Sequence, residues 1–366
     1  MKELSDIVQA YSSVGEFGPT AVLATLVKTE GLCYRSPGAR MLLIEGGHQA
    51  GLLSGRNIEK ALHERARKVS ASGHPETCSY QTEEGETEGG AAEAAYGVGI
   101  VLLEPLSGQL DELPIRVLRE CLQERRHFRM GTVFSAPTDA AAHPGSRIVF
   151  SQDGSRTAMD LGEELALRLE KDLLSLPLDA LPRPLTYDSP EGPVEVLLEV
   201  LLPPPAIAIF GGGLDSCPLV KMSKELGWRA SVIDPDPACA NKGRFFLADE
   251  VVVAHPDQIG DRVSLDERTV AVLATHNFQH DLELLERLLA TQAPYVGVVG
   301  PRGRAKKLLA ALAEKNPTLA RQAATRVFAP AGLDIGAQTP QEIALAILAE
   351  VRTQLSGSEG GPLRNL

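Results

Sequence analysis

The residues Gly211-Gly212-Gly213-Leu214-Asp215-Ser216 follow a short, wholly apolar run, Ala206–Phe210, and fit the pattern G-x-G-x-x-G/A with Ser216 as the third small residue. Glycines let such a turn tighten and let a phosphate approach the backbone. A helix starting there offers free N–H groups and the positive end of its dipole. A helix with Leu219, Met222, Ser223 and Leu226 on one face follows, then a strand, Ala230–Ile233, ending in Asp234. Asp234 stands about 20 residues beyond the second fingerprint glycine, the spacing of an acid that holds ribose hydroxyls. The bland alternative is a tight strand-to-helix turn with Asp234 capping a loop. Two later apolar runs end in Thr275-His276-Asn277 and Gly300-Pro301-Arg302. His276 can serve as an acid or base, as a phosphate donor, or as a ring that fixes a loop. Arg302 can clamp a phosphate bidentately or stand solvated at a helix start.

The elements needed to position these groups alternate from residue 205 onward: strands at 206–210, 230–233, 251–254, 269–275, 295–299 and 326–328, helices at 281–290, 303–315 and 340–353. Such alternation predicts a parallel sheet with helices on both faces and ligands outside the carboxyl ends of the strands. The last helix has a complete start signal: Thr339 as cap, Pro340 in the first turn and Glu342 closing a capping box.

Ahead of Pro203-Pro204-Pro205 the pattern changes, and the domain boundary is expected there, with an α+β unit over 1–204 and a Rossmann-like unit over 205–366. Strands are expected at Ala21–Thr29, Met41–Ile44 and Gly99–Leu103, together forming one small sheet. Ser54 is expected to cap a helix with Ile58, Leu62, Ala66 and Val69 on its buried stripe. The stretch from Ser70 to Ala95 reads as a mobile loop or irregular hairpin. Residues 113–127 and 158–174 read as helical, 131–135, 146–151 and 194–202 as extended, and 175–192 as irregular. No internal repeat is expected.

A formal charge of −12 makes nucleic acid and membrane surfaces poor partners. No apolar run reaches the length of a membrane span, and the first residues lack the core of a secretion signal, so a cytoplasmic location is expected. Cys33, Cys78, Cys121, Cys217 and Cys239 lie far apart without metal-ligand spacing and read as reduced thiols.

The segment Ala329-Pro330-Ala331-Gly332-Leu333-Asp334-Ile335-Gly336-Ala337, followed by Thr339-Pro340-Gln341-Glu342-Ile343-Ala344, resembles the closing signature of the xanthine dehydrogenase accessory (XdhC/CoxI) family. Thr275-His276, Tyr295-Val296-Gly297 with Gly300, and the glycine turn with Asp234 are similar to other blocks of that family. So are Ser36-Pro37-Gly38-Ala39-Arg40-Met41, Gly51-Leu52-Leu53-Ser54-Gly55 with Glu59, and Leu103-Glu104-Pro105. The resemblance implies a chaperone that binds the molybdenum cofactor (molybdopterin), protects it and hands it to an apo xanthine dehydrogenase-type enzyme, with a cysteine desulfurase and a second copy of the chain as further candidate partners.

It carries Arg40, Ser54 and Gly55 into the cofactor site. Ser54-Gly55 at a helix start suits an anion such as the pterin phosphate, with a simple cap as the alternative. Asn57 and Ala95 stand where the family usually has cysteines, Leu214 replaces a usual histidine, and Pro301 a usual serine. Thiolates are natural partners of a soft metal centre, so the two missing thiols point to cofactor delivery more than sulfur insertion. The competing reading is an NAD(P)-dependent oxidoreductase acting on a small substrate, since nucleotide folds serve both roles.

Overall fold

The computed structural model describes residues 2–14, 18, 20–82 and 97–365. The chain forms two compact units, Glu3–Pro203 and Pro204–Leu366, divided within the triple proline. Proline lacks an N–H donor and fixes φ, so no regular element crosses that point.

The first unit contains, in order, α1 (Lys2–Val14), β1 (Ala21–Glu30), β2 (Arg40–Ile44), β3 (His48–Gly51), α2 (Arg56–Ser72), β4 (Glu76–Thr82) and β5 (Gly97–Leu106). The same order then recurs as α3 (Leu113–Gln123), β6 (Phe128–Ser135), β7 (Arg147–Ser151), β8 (Arg156–Met159), α4 (Glu163–Ser175), β9 (Arg183–Ser189) and β10 (Gly192–Leu201). Each half folds into an antiparallel five-stranded sheet of identical topology, β3-β2-β1-β5-β4 and β8-β7-β6-β10-β9. The unit is an internal duplication, which corrects the expectation of a chain without repeats.

The duplication reaches the side chains. Pro37-Gly38-Ala39-Arg40 matches Pro144-Gly145-Ser146-Arg147, and Val101-Leu102-Leu103-Glu104 matches Val196-Leu197-Leu198-Glu199. Gly55 and Gly162 cap α2 and α4 at equivalent places. A small core cluster consists of Val27 and Leu102 from one half with their counterparts Phe134 and Leu197 from the other. Leu62, Ala66 and Val69 seat α2 on the first sheet as Leu169, Leu173 and Leu176 seat α4 on the second. Cores accept apolar exchange as long as volume and pattern survive. Two copies can therefore diverge until only such positions agree.

Two buried ion pairs tie the halves together reciprocally. Arg40, which opens β2, bonds Glu199 of β10; Arg147, which opens β7, bonds Glu104 of β5. All four side chains are buried. An ionised group tolerates that environment only when it is paired and hydrogen-bonded.

Several expected elements shift. The stretch expected to be a loop from Ser70 contains the end of α2 and all of β4, while 83–96 lie outside the described residues. The segment expected to be irregular contains β9. Both strands sit at the edge of their sheets, so one flank stays unpaired and polar residues, and even Pro184, are tolerated. The helix expected from residue 158 is two elements: β8 ends at Met159 and α4 starts at Glu163.

The second unit follows the expected alternation: β11 (Ala206–Phe210), α5 (Cys217–Glu225), β12 (Arg229–Asp234), β13 (Glu250–Val253), α6 (Ile259–Arg262), β14 (Thr269–Leu273), α7 (Phe278–Leu289), β15 (Val296–Val298), α8 (Arg302–Lys315), α9 (Pro317–Arg326), β16 (Val327–Phe328) and α10 (Pro340–Ser356). The strands make one parallel sheet in the order β13-β12-β11-β14-β15-β16. β11 and β14 are buried at every residue, as strands covered on both faces must be. Helix α9 is not expected from the sequence pattern; Asn316 caps it by accepting the Leu319 N–H.

The closing segment anchors the last helix. Glu350 on α10 accepts the Tyr295 hydroxyl at 2.6 Å and the Gly332 N–H at 2.8 Å. Burial, reinforced by that carboxylate, holds the Tyr295 phenol well above its usual titration range. Gly332, at φ +108, packs closely on Ala346.

Candidate functional site

In the order β13-β12-β11-β14-β15-β16 the connections reverse direction between β11 and β14, which opens a crevice at the carboxyl ends of those two strands. The glycine turn leaves β11, Asp234 ends β12, Thr275 and His276 follow β14, and Gly300 and Arg302 follow β15. Eight of the eleven site residues expected from sequence therefore share one edge of the sheet. The other three, Arg40, Ser54 and Gly55, belong to the duplicated unit.

The first two glycines are required by packing. Gly211 has φ +125, and a Cβ there would overlap the Ala274 carbonyl; one on Gly212 would meet the Cys239 carbonyl oxygen at 2.5 Å. Gly212 is held on both sides. Its N–H donates to Asp234 Oδ2 at 2.7 Å, and its carbonyl accepts from Arg244 Nη1 at 2.6 Å. The other Asp234 oxygen accepts the Asp236 N–H at 2.8 Å. Asp234 thus braces the turn, and each of its oxygens keeps a further acceptor site for a ribose hydroxyl. Gly213 differs. Its φ is −66, and a Cβ there would meet only the Asp215 carboxylate. Behind the turn, the buried Ser216 hydroxyl donates to the Gly211 carbonyl at 2.8 Å.

Across the crevice Thr275 points inward, its hydroxyl 2.6 Å from Oδ1 of the fully buried Asp281. Arg304 Nη2 lies 2.6 Å from the other oxygen of that carboxylate. Arg304, two residues beyond Arg302, is the arginine tied into the floor of the site, while Arg302 stands exposed at the start of α8. Gly300 adopts φ +137 where the chain turns from β15 into α8. His276 occupies the left-handed region at φ +56 and places Nε2 2.8 Å from Asp215 Oδ2.

In the duplicated unit Arg40 is turned to Glu199, with its second guanidinium nitrogen 3.1 Å from the Gly38 carbonyl. Ser54 is buried and hydrogen-bonded to Tyr80, whose phenol burial pushes up. The cap of α2 is Gly55 rather than the expected Ser54, and it supplies no side-chain bond to the first turn. Asn57 lies in that turn, and Ala95 lies outside the described residues. Burial pushes the thiols of Cys33, Cys78 and Cys217 up, which disfavours the thiolate. Among the described residues no group of three or more histidine, cysteine, aspartate or glutamate side chains is placed to hold a metal ion. No helix of the described residues is long and apolar enough to cross a membrane.

Asp215, Arg244, Asp281 and Arg304 were not expected from sequence. Only Asp215 carried a local signal: a carboxylate inside a turn otherwise suited to phosphate. Arg244 and Arg304 act through partners distant in sequence, and Asp281 joins Thr275, six residues before it, to Arg304.

The strand order, the reversing crevice and the glycine turn define a unit of the Rossmann class. Residues 207–351 match the XdhC Rossmann domain family, and residues 16–81 match the XdhC and CoxI family. The chain belongs to the XdhC family. The second of these matches spans most of the first copy of the duplication and none of its second copy.

The chain is 28% identical over 335 residues to a protein of Bacillus subtilis described as a probable xanthine dehydrogenase subunit, covering 90% of this chain and 92% of that protein. It is 29% identical over 173 residues to the uncharacterized protein YqeB of Escherichia coli, covering 46% of this chain and 31% of that one. A crystal structure described as a xanthine dehydrogenase from Bacillus halodurans shares the fold, with a TM-score of 0.74 at 24% identity over 98% of both chains. Membership of the family supports an accessory role for xanthine dehydrogenase.

Proposed function

We propose that this protein binds the molybdenum cofactor and delivers it to a molybdenum hydroxylase of the xanthine dehydrogenase class. The observation that carries the reading is the glycine turn at the switch-point crevice, in a chain whose matches to the XdhC family lie in both units.

The phosphate end of a pterin cofactor fits the residues present. No backbone atom blocks the position over Gly213, where the Asp215 side chain stands and a phosphate could take its place; Asp234 retains acceptor capacity, and His276 stands at the rim. The metal end has no donor set among the described residues, so no protein ligand to molybdenum is assigned. The cofactor would supply the redox chemistry of the client enzyme; this chain's residues bind, orient and release it. Cys33, Cys78 and Cys217 are held toward the neutral thiol, which favours delivery over sulfur insertion and leaves a cysteine desulfurase acting before this protein.

One observation favours the alternative of an NAD(P)-dependent oxidoreductase: the His276–Asp215 pair at the crevice could move a proton. Reconstitution separates the two. Apo-hydroxylase is mixed with sulfurated or desulfo cofactor, with and without this protein, and assayed beside a direct test of NAD(P)H oxidation. Stimulation with the sulfurated form and no hydride transfer is the expected result. NAD(P)-dependent turnover without a partner would overturn the delivery reading.

A further inference from the structure

The turn Leu214–Ser216, directly after the glycines, carries Asp215. Its carboxylate leans back over Gly213, the one glycine of the turn whose Cβ position is blocked by no backbone atom. The other carboxylate oxygen reaches across the crevice to His276 Nε2 at 2.8 Å. Among the described residues His276 is its one hydrogen-bonded partner. A capping carboxylate would accept N–H groups of its own helix; this one is aimed at the opposite wall.

That wall is held in a costly conformation. His276 has a side chain and a φ of +56, a region that non-glycine residues enter rarely and that costs on the order of 1 kcal/mol or more. The two side chains are 60% and 36% exposed. The imidazole therefore gains little from burial and is accessible to a ligand. The glycine turn and the start of α5 lie here, the backbone set that Rossmann units offer to a ligand phosphate, and the His276 imidazole stands beside them. Here the chain places its own anion in front of that set.

We propose that Asp215 is a specificity residue that occupies the phosphate seat of the glycine turn, with His276 as the partner that an incoming phosphate takes over. The inference rests on the reading of the glycine turn as a phosphate site. Asp215 then acts as a charge filter. A ligand phosphate must displace the carboxylate and is repelled by it, so the crevice discriminates against highly charged phosphates by more than its shape requires. Two unit charges about 4 Å apart repel by ~1 kcal/mol in water and more in a partly enclosed crevice. Removing one charge of the pair therefore changes affinity by about tenfold.

The test is calorimetric titration of the full chain with ADP, which carries both a ribose diol and a pyrophosphate, and with adenosine as the phosphate-free control. Asp215→Asn should bind ADP about tenfold more tightly than the unsubstituted protein while adenosine affinity stays the same. His276→Gln should weaken ADP several-fold and leave adenosine unchanged. Both positions are at least one-third exposed, so the variants should melt with the unsubstituted protein. ADP binding that is unchanged or weaker in Asp215→Asn overturns the filter while leaving the phosphate site standing. No ADP binding by any of the three proteins overturns the phosphate site, and the filter with it.

Discussion

Arg147 is 1% exposed, and only its Nη2 has a hydrogen-bond partner, Glu104; Nε and Nη1 are buried without one. Its counterpart Arg40 bonds Glu199 and also the Gly38 carbonyl. Neutralising one partner of a buried pair leaves the other charge uncompensated, at a cost of about 3–5 kcal/mol. Glu104→Gln removes the charge facing a guanidinium that has no other bond, so its cost belongs at the upper end, ~5 kcal/mol. Glu199→Gln leaves Arg40 its carbonyl and belongs near ~3 kcal/mol. Replacing both members by apolar groups, Arg147→Met with Glu104→Leu, removes the buried charge altogether and should restore most of the loss.

The assay is urea unfolding followed by two probes. The single tryptophan, Trp228, is buried in the Rossmann unit, so its fluorescence reports that unit, whereas far-ultraviolet circular dichroism reports both. The variants should move the dichroism transition that Trp228 does not follow. Three results would refute the reasoning: a cost below ~1 kcal/mol for Glu104→Gln, a larger cost for Glu199→Gln, or a double substitution worse than either single one. The same pairs decide the role of Arg40. If it is structural, Arg40→Met with Glu199→Leu should fold and keep its ligand affinity.

Three further outcomes are expected. Gly213→Val should fold normally yet lose phosphate-ligand affinity by about tenfold or more, whereas Gly211→Ala should lose more than ~1 kcal/mol of stability because φ +125 and the Ala274 carbonyl exclude a side chain; calorimetry and melting of the two proteins check this. Asp234→Asn turns one acceptor of two backbone N–H groups into a donor, so melting temperature and nucleotide affinity should fall together, the affinity by ~1–3 kcal/mol; a loss in only one readout would show that bracing and ribose binding are separable. Glu342 accepts the Thr339 and Gln338 N–H groups, which hold its carboxyl below the usual glutamate range. Because the folded value is depressed, its contribution is complete above the ordinary glutamate value and is lost as pH falls through the lowered one. Glu342→Gln should remove that acid step from a plot of Tm against pH.

Much of the Rossmann unit was legible because its signals are local. Ala206–Phe210 is a strand because a parallel strand covered on both faces must be apolar throughout. The Thr339 to Glu342 capping box forms within four residues, and the glycine turn announces itself by composition. Edge strands β4 and β9 hid because half-exposed strands lack that apolar run, and the expected loop at Ser70 and irregular stretch at 175 dissolved for the same reason. The duplication hid because its copies agree at buried positions scattered along the chain and differ at the surface.

Chain order and residue type by themselves determined where the glycines stand, which acid ends the second strand and that the later strands run parallel. Tertiary structure alone decided what those residues face. His276 meets Asp215 only because β11 and β14 are neighbours, and Arg40 meets Glu199 only because two copies of one fold pack together. A short-range pattern encodes the conformation of a segment. The partner of a charge depends on loops closed over tens of residues, and no window of sequence contains both ends.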